Sequence, residues 1–267
     1  QSTALRAGAG GKYHRGVARM AQNLLVGKFY HITDHTQWYT DRTNENNLVG
    51  NYEGMAEILE STARKHLVDL DDVLIHRDSA DHIRTVFQDH FHKLYDLWKQ
   101  GGVNILYCDL DVVFLNQARV FGEFDQFSMF NFGDPPSTRD DHYGLEFPYY
   151  FNCGVRYYPA TMDDAVWQHG FQLLENWNPD RWDCEQIIYN AMLWTQPVSI
   201  IDIYRPRLNW QMLHPSPLSQ FNTGFNGGVR ISDASIVHVH GSRGSGDRLS
   251  IMSNLAVGDY GEETVLL

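Results

Sequence analysis

Residues 103–115 read VNILYCDLDVVFL, and this stretch decides the fold of the chain. Its first residues have the length and composition of a buried β-strand, and Asp109 and Asp111 then interrupt an otherwise apolar run. An Asp-x-Asp tripeptide is common by chance in solvated loops, but burying unpaired carboxylates within apolar sequence is costly. Carboxylates two residues apart are hard oxygen ligands that suit Mg²⁺ or Mn²⁺, so the two acids are candidate metal ligands.

The sequence before these acids places them at the end of a parallel αβ unit. Apolar residues recur every three or four positions over residues 83–98, which predicts a helix, and Gly101 and Gly102 end it. An apolar strand over residues 103–107 follows directly. Because ligands of parallel sheets bind outside the carboxyl ends of the strands, Asp109 and Asp111 lie where a site is expected.

Hydrophobic patterns along the rest of the chain predict further helices and strands. In the first half we expect a loop over 1–12, a helix over about 16–25, strands over 28–33 and 73–75, a polar loop over 35–52 and a helix over 55–67. In the second half we expect a polar loop over 131–148, a bent strand over 149–158, a helix from a Thr161-x-x-Asp164 capping box to about 177, a helix capped by Asp183, and strands over 198–203 and 235–240. This order, without a repeat or linker, predicts one mixed α/β domain.

The net charge, the length of the apolar runs and the cysteines exclude some classes of protein and of partner. The net charge of −12 argues against non-specific binding to nucleic acid or to an anionic membrane. No apolar run approaches the roughly 18 to 20 residues of a membrane span. The cysteines Cys108, Cys153 and Cys184 form no CxxC pair, so we expect reduced thiols in a soluble, cytoplasmic protein. The chain begins at Gln1 without a signal-peptide pattern, which leaves room for an upstream segment.

A second group of candidate ligands follows the last predicted strand, in the stretch HVHGSRGSG. His238 and His240 lie on the same face of that strand because side chains alternate along it. An imidazole and two carboxylates make a reasonable Mn²⁺ ligand set, and chemistry alone does not separate the two histidines. The glycine-rich turn that begins at Gly241 lets backbone N–H groups approach a phosphate, and Arg243 adds positive charge.

Four motifs in this order resemble one group of enzymes. The runs YCDLDVVFL, FNCGVRYYPAT, DCEQ and HVHGSR resemble the DXD-type retaining glycosyltransferases of the GT-A fold, including the nucleotide-diphospho-sugar transferase, glycogenin-like and xyloglucan xylosyltransferase groups. The stretch LLVGKFYHITDHTQ is similar to the strand and turn that meet the nucleotide base in the blood-group ABO type. The resemblance covers roughly residues 80–245 and implies a mixed, mostly parallel sheet with flanking helices. It also implies one domain over 1–267, with a nucleotide-binding half at 1–115 and an acceptor-binding half at 116–267.

The resemblance implies roles for the metal motifs. Asp109 matches the first acid of the DXD motif, which faces ribose or metal, and Asp111 matches the second, which is a direct metal ligand. The HxxG element and its basic residue fall on His238, Gly241 and Arg243. This match favours His238 as the ligand and Arg243 as a diphosphate contact, and a shift in register would make the ligand His240.

Further roles are implied at the sugar and the base, and each residue also has an ordinary structural interpretation. Asn152 and Gly154 match an N-x-G element whose Asn contacts the donor sugar or the acceptor, and Glu185 and Gln186 match an acid-Gln pair that faces the anomeric centre. Three more residues match positions near donor oxygens or near the uracil: Lys93, Thr33 and Asp34. The family's opening strand has no counterpart in residues 1–12, which puts the identity of the donor nucleotide in doubt.

The activity implied is metal-dependent transfer of a sugar from a nucleotide diphosphate sugar to a hydroxyl acceptor such as a glycan. The donor would be a UDP-sugar, the ion Mn²⁺ or Mg²⁺, and the outcome retention of configuration. A haloacid-dehalogenase-type phosphatase that uses Asp109 as nucleophile and Asp111 as acid/base is an alternative. A sugar-nucleotide pyrophosphorylase and a non-catalytic nucleotide-sugar-binding protein are two others. Nucleic acid is not an expected partner.

Overall fold

Two β-sheets are formed by the part of the chain that the computed structural model describes, which is residues 21–32, 48–80, 83–129, 153–176, 185–195, 210–213, 235–239 and 245–259. The first sheet has the strand order β2-β1-β3-β6-β5. Its strands are β1 (Gln22–Ile32), β2 (Asp72–Ala80), β3 (Val103–Cys108), β5 (Ser128–Met129) and β6 (Val155–Tyr158). The second sheet has the order β4-β8-β7 and contains β4 (Val112–Phe114), β7 (Trp210–Leu213) and β8 (Ile236–Val239).

The first sheet is mixed but mostly parallel. Strand β1 pairs in parallel with both β2 and β3, whereas β6 runs antiparallel to β3 and β5 runs antiparallel to β6. Strand β5 therefore points the same way as β3, and only β6 is reversed among the strands described in this sheet. The predicted fold class is confirmed.

Helices flank the first sheet on both faces and form two apolar cores with it. The helices are α1 (Leu48–His66), α2 (Ile83–Lys99), α3 (Asp164–Glu175), α4 (Gln186–Thr195) and α5 (Ser245–Ala256). Because side chains alternate along a strand, Leu25 of β1 packs into the core that α1, α5 and the second sheet share. Its neighbours Leu24 and Val26 pack into the core that α2, α3 and α4 cover. None of these described helices combines the length and the apolar character needed to cross a membrane.

The helix predicted over residues 16–25 is wrong for its described part. Gln22 to Leu25 belong to β1, which lies between β2 and β3 and is hydrogen-bonded on both edges. A strand covered on both faces carries a continuous apolar run, such as Leu24, Leu25 and Val26, and shows no alternation. Such a run cannot be distinguished from a buried helix by periodicity alone. The strand predicted over residues 28–33 is confirmed for residues 28–32, which form the second half of β1.

Other boundaries also differ from the prediction. The N-cap of α3 is Asp163, whose side chain accepts a hydrogen bond from the Ala165 N–H at 2.9 Å, and Thr161 instead donates to the Asp125 carbonyl. Residues 48–52, expected in a loop, form the first turns of α1. The helix over 83–98 is confirmed as α2, and Gly101 and Gly102 after it adopt positive φ values of 84° and 69°.

Several predictions fall outside the described residues: the loop over 131–148, the cap at Asp183, the strand over 198–203 and the thiol of Cys184. Cys108 and Cys153 are buried free thiols, as predicted.

Candidate active site

The turn after β3 carries the chain from the first sheet to the second and holds both aspartates of the Asp-x-Asp motif. The backbone N–H of Asp109 donates to the carbonyl of Gly154 at 2.7 Å, and the carbonyl of Asp111 accepts from the N–H of Val239 at 2.7 Å. Strand β4 then pairs antiparallel with β8, which sets His238 opposite Val112. The two acids and the histidine therefore meet where the sheets adjoin.

These three side chains form a compact cluster of metal-ligating groups. One potential ligand atom from each of Asp109, Asp111 and His238 lies within 4.8 Å of the other two. Nε2 of His238 is 2.9 Å from Oδ1 of Asp111 and 4.0 Å from Oδ2 of Asp109. Asp111 and His238 are buried, whereas the Asp109 side chain is 33% exposed. Two of the three candidate ligands are thus buried, and the third is partly open to solvent.

The acids also control the protonation of His238. Burial acts to lower the pKa of the imidazole, but the charge of Asp111 and its hydrogen bond outweigh burial and raise it. Since a carboxylate only accepts hydrogen bonds, Nε2 carries the proton that lies between these two side chains. Metal binding at Nε2 would have to release that proton.

Arg248 completes the charge balance around Asp111. Its Nη1 donates to Oδ2 of Asp111 at 2.8 Å, and its Nη2 lies 3.2 Å from the hydroxyl of Tyr52. Arg248 was not predicted from sequence because α5, which carries it, was not predicted either. The available signal was the recurrence of Leu249, Met252 and Leu255 at every third position, which predicts a helix that carries Arg248.

A second buried cluster lies beneath Asp109 and is linked to it by Tyr107. The hydroxyl of Tyr107 donates to Oδ1 of Asp109 at 2.6 Å. The guanidinium of Arg156 lies between two aromatic rings, with Cζ 3.9 Å from the ring centroid of Tyr107 and 3.6 Å from that of Tyr189. This arginine is fully buried, and its Nη1 donates to the carbonyl of Cys153 at 2.7 Å. A fixed positive charge therefore lies directly behind the site.

The Glu185 carboxylate contacts two cationic side chains in this second cluster. Nζ of Lys28 lies 2.6 Å from Oε1 and also contacts Oε2, and Nη1 of Arg156 lies 3.9 Å from Oε1. The side chains of Lys28 and Glu185 are only 13% and 8% exposed. Nζ of Lys28 also lies 4.6 Å from the ring centroid of Phe87, so the face of the ring attracts the ammonium as well. Neither Lys28 nor Arg156 was predicted from sequence.

Comparison with solved structures identifies the architecture. The chain is similar to a glycosyltransferase involved in the glycosylation of the major capsid of PBCV-1, with a TM-score of 0.53 and 11% identity over 87% of this chain and 98% of that one. It has the GT-A glycosyltransferase fold. The galactosyltransferase LgtC, solved in complex with donor and acceptor sugar analogs, is matched with a TM-score of 0.45 and 14% identity over 90% of this chain and 98% of that one. No protein-family model and no curated protein matches the chain.

The fold does not favour the phosphatase alternative. The nucleophile of a haloacid-dehalogenase-type phosphatase follows the first strand of its sheet, whereas Asp109 follows β3.

The GT-A fold brings several of the predicted site residues to one edge of the first sheet. Asp109, Asp111 and His238 form the metal-ligating cluster, and the Gly154 carbonyl binds the backbone of Asp109. Gln186 accepts a hydrogen bond at Oε1 from the backbone N–H of Cys153 at 3.2 Å, which holds the start of α4 beside the turn before β6.

Lys93 has different partners from those expected for a donor-binding residue. Its Nζ lies 2.8 Å from Asp78 and 2.7 Å from Asp89, and it also contacts the hydroxyl of Tyr30 at 3.3 Å. These contacts place Lys93 in a partly exposed ion-pair group between α2 and β2. The remaining candidates lie outside the described residues: Thr33, Asp34, Asn152, His240, Gly241 and Arg243.

The donor set fits a divalent metal ion. Two carboxylates and one imidazole within 4.8 Å of one another are ligands that Mn²⁺ accepts, and Asp109 is open enough to reach an ion shared with a bound anion. The antiparallel pairing of β8 with β4, which sets His238 opposite Val112, explains how a residue far away in sequence joins the motif.

Proposed function

We propose that this chain is a metal-dependent glycosyltransferase that moves a sugar from a UDP-sugar to a hydroxyl group of a glycan or another acceptor. The observation that carries the proposal is the cluster of Asp109, Asp111 and His238 at the junction of the two sheets of a GT-A fold. In the reaction, the bond between the anomeric carbon and the diphosphate breaks. A bond to the acceptor oxygen forms, and the proton of the acceptor hydroxyl leaves with the diphosphate.

The proposed metal site consists of Asp109, Asp111 and His238, with Mn²⁺ as the preferred ion. A divalent ion there would neutralise the negative charge that grows on the departing diphosphate. Asp109, the most exposed of the three, is the residue we assign to the side that faces the nucleotide. Gly154 is assigned to the same side because its carbonyl holds the Asp109 backbone.

Glu185 is the proposed catalytic acidic group, and Gln186 and Asn152 are proposed to contact the donor sugar or the acceptor. Its carboxylate is tied to Lys28 and Arg156, an arrangement that suits a fixed negative charge better than a mobile proton acceptor. A fixed carboxylate stabilises the positive charge that develops on a sugar ring during transfer. Retention of configuration is proposed from the resemblance to the DXD-type retaining enzymes, and NMR of the product's anomeric proton tests it directly.

The test of the proposal is nucleotide binding measured by calorimetry with UDP, GDP and CMP, with and without Mn²⁺. We expect UDP to bind only when Mn²⁺ is present, and we expect Asp111→Asn to abolish that binding. Asp96→Asn, an exposed aspartate on α2, is the matched control and should bind as the unaltered chain does. Phosphate-ester hydrolysis without metal-dependent nucleotide binding would remove the transferase proposal and favour the phosphatase.

A further inference from the structure

Asp111 already has a cation bound to it. Nη1 of Arg248 lies 2.8 Å from Oδ2 of Asp111, and the two side chains are only 11% and 9% exposed. Nη2 of the same guanidinium lies 3.2 Å from the hydroxyl of Tyr52 on α1. A residue of α5 is therefore held against a candidate metal ligand by a second helix.

Each carboxylate oxygen of Asp111 already faces a positive or proton-donating group. Oδ1 faces Nε2 of His238 at 2.9 Å, and Oδ2 faces Arg248. An incoming divalent ion needs a lone pair of the same carboxylate, and it is repelled by any positive charge that stays within a few ångströms. In a partly buried site, water screens this repulsion weakly.

We propose that Arg248 is the internal counter-ion of Asp111 and that a divalent metal ion must displace its guanidinium in order to bind. This inference rests on the proposed metal site and extends it, because metal loading becomes an exchange of one cation for another. Arg248 is a positioning residue in this scheme: it holds the Asp111 carboxylate in place until the ion arrives. The displacement would also release the first turn of α5 from Asp111.

Titration of the full chain with Mn²⁺ alone tests the exchange, with free Mn²⁺ measured by electron paramagnetic resonance. We expect Arg248→Gln to bind Mn²⁺ about tenfold more tightly than the unaltered chain, because a competing charge has been removed. Tyr52→Phe keeps the Arg248 guanidinium but removes the hydroxyl that anchors it, so it should tighten Mn²⁺ binding less than Arg248→Gln does. Arg119→Gln removes an exposed arginine that pairs with Asp69 at 3.3 Å and should leave the affinity unchanged.

Thermal unfolding distinguishes two roles for Arg248, that of a counter-ion to Asp111 and that of a side chain that only packs. Without metal, Arg248→Gln should unfold at a lower temperature than the unaltered chain, because the buried carboxylate has lost its guanidinium. Saturating Mn²⁺ supplies the missing positive charge, so it should remove the difference in unfolding temperature between Arg248→Gln and the unaltered chain. A gap of the same size at every Mn²⁺ concentration would show a packing role and overturn the inference.

The two proposals fail in different ways. If the unaltered chain binds Mn²⁺ and Arg248→Gln binds it equally or more weakly, the exchange is wrong and the metal site stands. If neither the unaltered chain nor Arg248→Gln binds Mn²⁺, both the exchange and the proposed metal site are wrong. Tyr52→Phe keeps the test decisive if Arg248→Gln does not fold.

Discussion

Glu185 shows how single residues define this site. Its carboxylate is buried, and two cations from different strands, Lys28 of β1 and Arg156 of β6, lie against it. Removing one partner of a buried ion pair leaves the other without compensation, whereas replacing both partners by neutral groups costs much less. The stability of the Lys28–Glu185 pair can therefore be measured without any substrate.

We predict that Lys28→Met lowers the free energy of unfolding by about 3 kcal/mol, because Glu185 keeps only the more distant Arg156 as a cation. Urea denaturation measures the loss. The double variant Lys28→Met/Glu185→Gln should recover part of it. Lys65→Met, at an exposed position on α1, is the control and should change stability by less than about 0.5 kcal/mol. A loss for Lys28→Met as small as that for Lys65→Met would contradict a buried ion pair.

His90 is a second residue whose burial has a measurable consequence. It is fully buried, and its Nδ1 lies 3.4 Å from Nδ1 of His76. Burial, and then the positive charges of Lys28 and Arg156, hold the pKa of His90 well below its ordinary value of 6.5. His90 is therefore neutral in the folded chain, while the unfolded chain takes up a proton as the pH falls through 6.5.

Because the unfolded state binds this proton and the folded state does not, His90 destabilises the fold progressively below pH 6.5. The loss for one such proton is about 1.4 kcal/mol per pH unit. We predict that His90→Gln, which cannot titrate, shows a shallower loss of stability than the unaltered chain between pH 7.5 and pH 5.5. Urea denaturation across this range measures the difference, and His92→Gln, exposed on the same helix, serves as control. Parallel curves for His90→Gln and the unaltered chain would contradict the assignment.

At the scale of elements, α3 packs closely against α2 and α4 because Gly170 has no side chain. A Cβ atom built at Gly170 would lie 2.4 Å from Cζ of Phe91 and 3.0 Å from Sδ of Met192. Phe91 is buried among other aromatic rings, including Trp167 at a centroid distance of 5.1 Å, so it has little room to move. The contact between these helices depends on glycine at this position.

We predict that Gly170→Ala destabilises the protein by about 1–3 kcal/mol through overpacking, although alanine is the better helix former. Chemical denaturation measures this change. Gly246→Ala in α5 is the matched control, since its Cβ would meet only Asn51 Nδ2 at 3.4 Å. The control should be neutral or slightly stabilising. Equal effects of the two substitutions would show that α3 can shift to make room.

At the scale of the whole molecule, the proposed metal ligands connect the two sheets. Asp109 follows β3 of the first sheet, and His238 lies on β8 of the second. A ligand that binds both residues would restrain both sheets at once. We predict that Mn²⁺ with UDP slows amide hydrogen exchange in β3 and in β8, and that it leaves α3 unchanged. Slowing confined to one sheet would contradict a site shared between them.

Local sequence determined the parts of this protein that depend on near neighbours. The helical period over residues 83–98, the glycines after it and the apolar strand before Asp109 all lie within a short stretch, and each is present as predicted. The Asp-x-Asp motif was recognisable for the same reason, since an acid inside an apolar run is conspicuous wherever the chain folds. The fold class follows from the order of these elements.

Tertiary structure alone decided the rest. The first half of β1 resembled a helix in sequence because its apolar run is buried on both faces, and pairing with β2 and β3 made it part of a strand. The pairing of Lys28 with Glu185 joins residues 157 positions apart, and Arg248 reaches Asp111 across 137. Hydrophobic periodicity predicts only local structure, which depends on residues a few positions apart. Contacts across such distances in sequence depend on how the sheets and helices pack, and that packing placed the charges of the site.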